Sequence, residues 1–346
     1  MHFLVLADNQ AQKMHTDFQN KVIVITGASG GLGRAIAHEF AKQGARLALL
    51  ARGLEGLEGA KQEVEALGGT ALIIPTDVSD PEAVEEAARQ TEEELGPIDA
   101  WINNAMVSVF SKFHEIKPEE FKRVTEVTYL GQVYGTLSAL RRMMPRNKGV
   151  ILLVGSALAY RGIPLQSAYC GAKHGVQGFY DSLRCELMNM KSNIRMTMVQ
   201  LPAMNTTQFG WVLSRLPNNP RPMGKVFSPE VVAKGIVYAT AHPKRELLIG
   251  YPTYKAIVGD KIASWYADRV LAKTGISGQQ TDEPVSADRK NNLWQPVGED
   301  RDTHGPFTSI STNRSGTLWL SMHGIDPMVI FWAIILLVLI GLIVLL

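Results

Sequence analysis

The chain has 346 residues, 46% of them hydrophobic, enough for a buried core in one large domain or two small ones. Lysine and arginine number 35 against 33 acidic residues, so there is no broad positive field to gather nucleic acid. Two cysteines, Cys170 and Cys185, and scattered histidines without metal-ligand spacing exclude a disulfide scaffold and give a metal enzyme no support.

Residues 1–20 form a leader whose apolar stretch, Phe3 to Ala7, is too short for a signal peptide. From Lys21 to about Gly250, short apolar runs alternate with helical periodicity. The spacing predicts strands at 22–26, 46–50, 71–75, 100–103, 150–155, 195–201 and 246–249, with helices at 32–43, 54–66, 81–95, 118–144, 168–190 and 229–241. The expected fold class is α/β: a Rossmann-type doubly wound parallel sheet of about seven strands in a single catalytic domain, residues 21–274. Within it the alternation lapses over 202–227, where Phe209, Trp211, Leu213 and Leu216 precede a Pro/Asn-rich turn. This is the expected substrate lid, beyond the carboxyl end of a strand. Residues 275–325 are rich in Gly, Ser, Thr, Asn, Asp and Pro and read as an extended, partly disordered connector. Residues 326–346 end the chain with an uncharged run of 19 residues from Met328 to Leu346, long enough for a transmembrane anchor, with Asp326 and Pro327 suited to start a helix.

The first strand leads directly into Thr26-Gly27-Ala28-Ser29-Gly30-Gly31-Leu32-Gly33 and then a helix. Gly27 suits the tight turn, Gly31 lets a pyrophosphate approach the backbone, and Gly33 lets helix and strand pack closely, with the helix N-terminus facing the phosphates. Tyr169 and Lys173 are one helical turn apart and share a face. A lysine ammonium beside a phenol favours the phenolate, so Tyr169 is the expected acid/base, Lys173 its modulator and Ser156 a hydrogen-bond donor to the same substrate oxygen. At the end of the second strand, where an acidic residue would select a free ribose hydroxyl, Arg52 stands instead and favours a 2′-phosphate.

With this glycine spacing the sequence resembles the short-chain dehydrogenase/reductase family over about Lys21 to Gly250. Asp77-Val78 after the third strand, Asn103-Asn104-Ala105 after the fourth, Ser156 after the fifth, Tyr169-x-x-x-Lys173, and Pro202 with Thr206 follow in the family's order. The resemblance implies cofactor contacts at Gly27, Ser29, Gly31, Leu32, Gly33, Arg52, Asp77, Val78, Asn104, Tyr169, Lys173 and Thr206. It also implies a ribose contact for Lys173 and a homo-oligomer formed through helices 118–144 and 168–190. Three positions depart from the pattern: Met106 and Ala203 replace glycines, and Thr128 stands where the family carries a catalytic asparagine, making Thr128 a candidate in the proton relay. The expectation is an NADP(H)-dependent oxidoreductase, with NAD(H) the second choice, interconverting a carbonyl and an alcohol on a lipophilic substrate. Its catalytic domain would lie in the cytoplasm on a C-terminal membrane anchor. The rivals are a membrane-attached NADP(H)-binding sensor or scaffold without turnover, and an epimerase or dehydratase on the same fold.

Overall fold

The computed structural model describes residues 18–333 except positions 299, 301 and 331. The leader up to residue 17 and the predicted anchor from residue 334 onward lie outside the described residues. Among those described, no helix is long and apolar enough to cross a membrane.

Seven parallel strands form the main sheet: β1 (Val22–Thr26), β2 (Arg46–Ala51), β3 (Thr70–Pro75), β4 (Ile98–Asn103), β5 (Val150–Val154), β6 (Arg195–Gln200) and β7 (Glu246–Leu248). Their spatial order is β3-β2-β1-β4-β5-β6-β7, so the direction of winding reverses between β1 and β4. A crevice opens at the carboxyl ends of strands on either side of such a reversal, and ligands bind there. Alternation along β1 shows how both faces are filled. Ile23 and Ile25 join one core cluster with Ile36, Phe40, Val232 and Ile236, while Val22 and Val24 join the other with Val84, Ala139 and Val176. The first face is covered by α1 (Gly31–Ala41), α2 (Leu54–Ala66) and α7 (Pro229–Ala241), the second by α3 (Pro81–Leu95), α5 (Gly131–Met143) and α6 (Ser167–Asn189). Every predicted strand is present to within a residue or two.

The helix expected over 118–144 is broken into α4 (Pro118–Thr125), a π-helical turn at Glu126–Leu130, and α5. The turn re-aims the chain so that α5 lies hard against β4: a Cβ added at Gly135 would stand 2.2 Å from the Asn103 Oδ1 atom. A further helix, α8 (Tyr251–Thr274), was not anticipated.

The expectation of an extended, partly disordered connector is corrected. Gln280–Pro284 pairs antiparallel with Asn218–Pro220, Ser311–Thr312 pairs in parallel with Val226–Phe227, and α9 (Gly316–Met322) buries Leu318 in the first core cluster. The segment is polar, yet it is ordered by hydrogen bonds to side chains far away in sequence, which satisfy its backbone as a regular element would.

Candidate active site

The glycine-rich turn between β1 and α1 is shaped by close backbone approach. Gly27 has φ +68°, and a Cβ there would lie 2.8 Å from the Ala105 Cα atom; at Gly33 it would lie 2.0 Å from the Gly27 carbonyl oxygen. No side chain fits at either position. Asn104 braces the turn from β4: its Nδ2 donates to the carbonyls of Thr26 at 2.9 Å and Gly27 at 3.3 Å, and its backbone N–H donates to the Thr26 Oγ1 atom. Asn104 thus faces the pocket, while the hydrogen-bonding role of its side chain is to hold the loop. The first turn of α1 carries no acidic residue, so its N-terminus, with the Gly31 N–H donating to the Asp302 carbonyl, favours an anion beside Ser29 and Leu32.

At the other end of the pocket, Ser156 ends β5 and its backbone N–H donates to the Gln200 Oε1 atom at 2.7 Å. Tyr169 and Lys173 project from α6 toward it. The Lys173 ammonium is 1% exposed, donates to the Val154 carbonyl at 2.6 Å and lies 5.7 Å from the Tyr169 ring centroid. Burial pushes the lysine down to about 7. Burial also raises the Tyr169 phenol above its ordinary value, with the Ser156 hydroxyl pulling the other way and Cys170 adding to the rise. The three residues lie together, and at Tyr169 desolvation outweighs the hydrogen bond from Ser156.

Thr128 sits in the π-helical turn, is fully buried, donates to the Val107 carbonyl at 2.8 Å and accepts from the Val107 N–H at 3.1 Å. Its hydroxyl, the expected relay group, is hydrogen-bonded to the backbone of Val107 and braces the π turn against the segment after β4.

Arg52, Asp77 and Val78 line the pocket beside β2 and β3, and Arg123, unforeseen, reaches Asp77. Burial opposes the Asp77 carboxylate, yet hydrogen bonds from Arg123 at 2.5 Å and from Ser79 hold its pKa below the usual range. Burial and neighbouring Arg123 depress the Arg52 pKa against the opposing pull of Asp77. The guanidinium of Arg52 donates to the carbonyls of Asn292, Leu293 and Trp294, and Arg123 Nε donates to that of Leu293 at 3.1 Å. A segment of the former connector therefore forms part of the pocket. Sequence reasoning missed it, since nothing local to residues 292–297 signals a partner 240 residues away.

The segment expected as a lid, 202–227, is tied down at two places, Leu213–Ser214 pairing with Val109–Phe110 and Asn218–Pro220 with the strand at 280–284. Beneath it Phe110, Leu165, Val212 and Leu216 form an apolar cluster joined by Phe209. Thr206, at the start of the lid, lines the cofactor pocket and bridges to His304. No cluster of residues able to hold a metal ion occurs among the described residues.

Residues 21–214 match the family model described as short chain dehydrogenase. The chain is 30% identical over 278 residues, 80% of its own length and 78% of the relative's, to the uncharacterized oxidoreductase YxnA of Bacillus subtilis (strain 168). It is 34% identical to the 3-dehydrosphinganine reductase of Danio rerio over 223 residues, 62% of this chain and 67% of that one. Among solved structures, it is similar to the alcohol dehydrogenase from the archaeon Thermococcus sibiricus complexed with 5-hydroxy-NADP. That likeness has a TM-score of 0.58 at 27% identity and covers 66% of this chain and 95% of that one.

Proposed function

This chain belongs to the short-chain dehydrogenase family of oxidoreductases, and we propose that it is an NADP(H)-dependent enzyme interconverting a carbonyl and an alcohol at Ser156, Tyr169 and Lys173. The observation that carries the reading is that Tyr169 and Lys173, with Ser156 hydrogen-bonded to Tyr169, line one end of a pocket whose other end has the glycine turn, the α1 N-terminus and Arg52.

The pocket residues fit a dinucleotide: Gly27 and Gly33 leave room for no side chain, the first turn of α1 carries no acidic side chain of its own, and Arg52 stands by the pocket with its neighbour Arg123 paired to Asp77. When bound, the nicotinamide supplies or accepts the hydride. The protein's own part is proton handling and orientation. Ser156 donates a hydrogen bond to the substrate oxygen and fixes it beside the Tyr169 hydroxyl. Tyr169 gives its proton to that oxygen in reduction and takes it back in oxidation. Lys173, in its protonated form, lowers the cost of forming the phenolate and holds the ribose.

The apolar cluster under the lid supports a lipophilic substrate, and the printed activity of the zebrafish relative, on a sphingoid ketone, is of that kind. We read residues 326–346 as a membrane anchor with the catalytic domain on the cytoplasmic side. Supporting this, α8 exposes Ile262, Trp265 and Tyr266. Its two acids, Asp260 and Asp268, are both paired with Arg161, leaving Lys255, Lys261, Arg269 and Lys273 as its net charge. An exposed helix of aromatic and cationic residues suits the interface of an anionic bilayer. Pairing with a second copy would run through α5 and α6, which expose Leu137 and Met188. The reading is tested by NADPH consumption against long-chain ketones and aldehydes; a protein that binds the cofactor and reduces none of them would instead fit the sensor role.

A further inference from the structure

The described residues between 289 and 305 form a segment that borders the pocket, with Asn292, Pro296 and Val297 in its lining. It begins at the lid, where Arg289 Nη2 donates to the Phe209 carbonyl at 2.6 Å and Asn292 N–H to that of Trp211 at 2.9 Å. It crosses the adenosine end on the carbonyls gripped by Arg52 and Arg123, with the Leu293 side chain fully buried in the second core cluster as a peg. Pro296 then packs over Gly53, where an added Cβ would stand 3.1 Å from the Pro296 Cβ atom. Asp300 pairs with Arg34, a side chain of α1 only 2% exposed, and the Asp302 carbonyl accepts from Gly31 N–H at 3.3 Å, inside the glycine turn itself. The crossing ends at the Thr206–His304 bridge, where the lid begins.

We propose that this strap is the retaining wall of the dinucleotide site, so that NADP(H) enters and leaves only when the strap lifts, and that its carbonyls aim Arg52 at the 2′-phosphate. The inference rests on the reading of the pocket as an NADP(H) site. Arginine has five N–H groups, and three of those on Arg52, two at Nη1 and one at Nη2, are donated to strap carbonyls. The remaining pair, at Nε and Nη2, is the edge that meets a phosphate with two parallel bonds. An arginine on an open loop would have to be ordered by its ligand, whereas here the strap has ordered it beforehand, which favours the phosphorylated cofactor. The contacts between strap and pocket are charge-assisted or buried, so lifting the strap is a discrete opening with its own rate. The matched family segment ends at Ser214, before the strap begins.

The test is a reversible lock. Gly53→Cys and Pro296→Cys place two thiols with Cβ atoms near the disulfide separation of about 3.8 Å. Cys185→Ser removes the exposed native thiol, and Cys170 is buried. NADPH fluorescence is followed in the full chain. Oxidation before loading is expected to slow NADPH uptake, and oxidation after loading to slow its release into excess NADP⁺, each by at least about tenfold and each restored by reduction. As an independent arm, Leu293→Ala with Asp300→Asn is expected to speed NADPH release about tenfold with the secondary structure intact, and to narrow the preference for NADPH over NADH. Equal exchange rates in the oxidised and reduced forms, with the disulfide verified by thiol titration, would overturn the strap. If the unmodified protein binds no NADPH, the cofactor reading itself is wrong and the strap has nothing to retain.

Discussion

Thr128 and Val107 hold each other through two hydrogen bonds, the threonine hydroxyl donating to the Val107 carbonyl and accepting from its N–H. This pairing fixes the π turn against the segment that carries Asn104 and Ala105 to the cofactor loop. Thr128→Val keeps the shape and removes the hydroxyl, leaving two buried backbone groups unpaired. It should destabilise the protein by about 1–3 kcal/mol in urea unfolding, and Thr128→Ser should recover most of that loss. If Thr128→Val were as stable as the parent but inactive, the hydroxyl would belong to the chemistry after all.

Lys173 yields a pH dependence of stability. Its folded pKa lies near 7, below the unfolded value of about 10.4. Between those values the unfolded chain holds a proton that the folded chain has released, so stability rises with pH through the window and is flat below it. Unfolding midpoints of the ligand-free protein and of Lys173→Met, measured from pH 6 to pH 10, should therefore diverge in favour of the parent as pH rises, by the equivalent of a few kcal/mol. Parallel curves would mean that the ammonium is not desolvated.

How far the sequence alone carried the account depends on where each signal lay. Parallel strands buried on both faces are short apolar runs, so all seven were legible, and the Ser156-Tyr169-Lys173 group could be read because i, i+4 spacing fixes a shared helix face. The helix α8 was hard to read because its buried stripe, Tyr254, Ile257 and Val258, is confined to its first half, while Ile262, Trp265 and Tyr266 face outward and its backbone departs from helical geometry at Ala263. The strap was misread for a different reason. Its order comes from Arg34, Arg52 and Arg123, more than 160 residues away, bonding to backbone carbonyls and a single carboxylate. Composition reports local propensity, and such distant anchors leave no trace in it. Thr128 was assigned by position in a motif, and only its neighbours reveal that its hydroxyl is already occupied.

Cofactor choice is the third expectation. Arg52→Gln removes the charge facing a 2′-phosphate and should weaken NADPH binding at least about tenfold while changing NADH binding little. Titration of both cofactors by fluorescence checks it; an equal loss for the two would assign Arg52 to holding the strap alone.

The exposed face of α8 gives the fourth. Ile262→Ser with Trp265→Ser leaves the pocket untouched, since neither residue lines it. With a lipophilic ketone dissolved in anionic vesicles, kcat/KM should fall several-fold, while turnover of a short water-soluble ketone should be unchanged. Equal effects on both substrates would place α8 in the fold's stability and not at a lipid surface.

The most direct test of the central claim is single-turnover oxidation of bound NADPH by a long-chain ketone, compared between the parent and Tyr169→Phe. The account predicts that Tyr169→Phe binds NADPH as the parent does and loses the chemical step by about 10²–10⁴-fold, the range for removing a general acid. Retention of the parent rate by Tyr169→Phe would contradict it, because the proton would then reach the substrate oxygen from some other group.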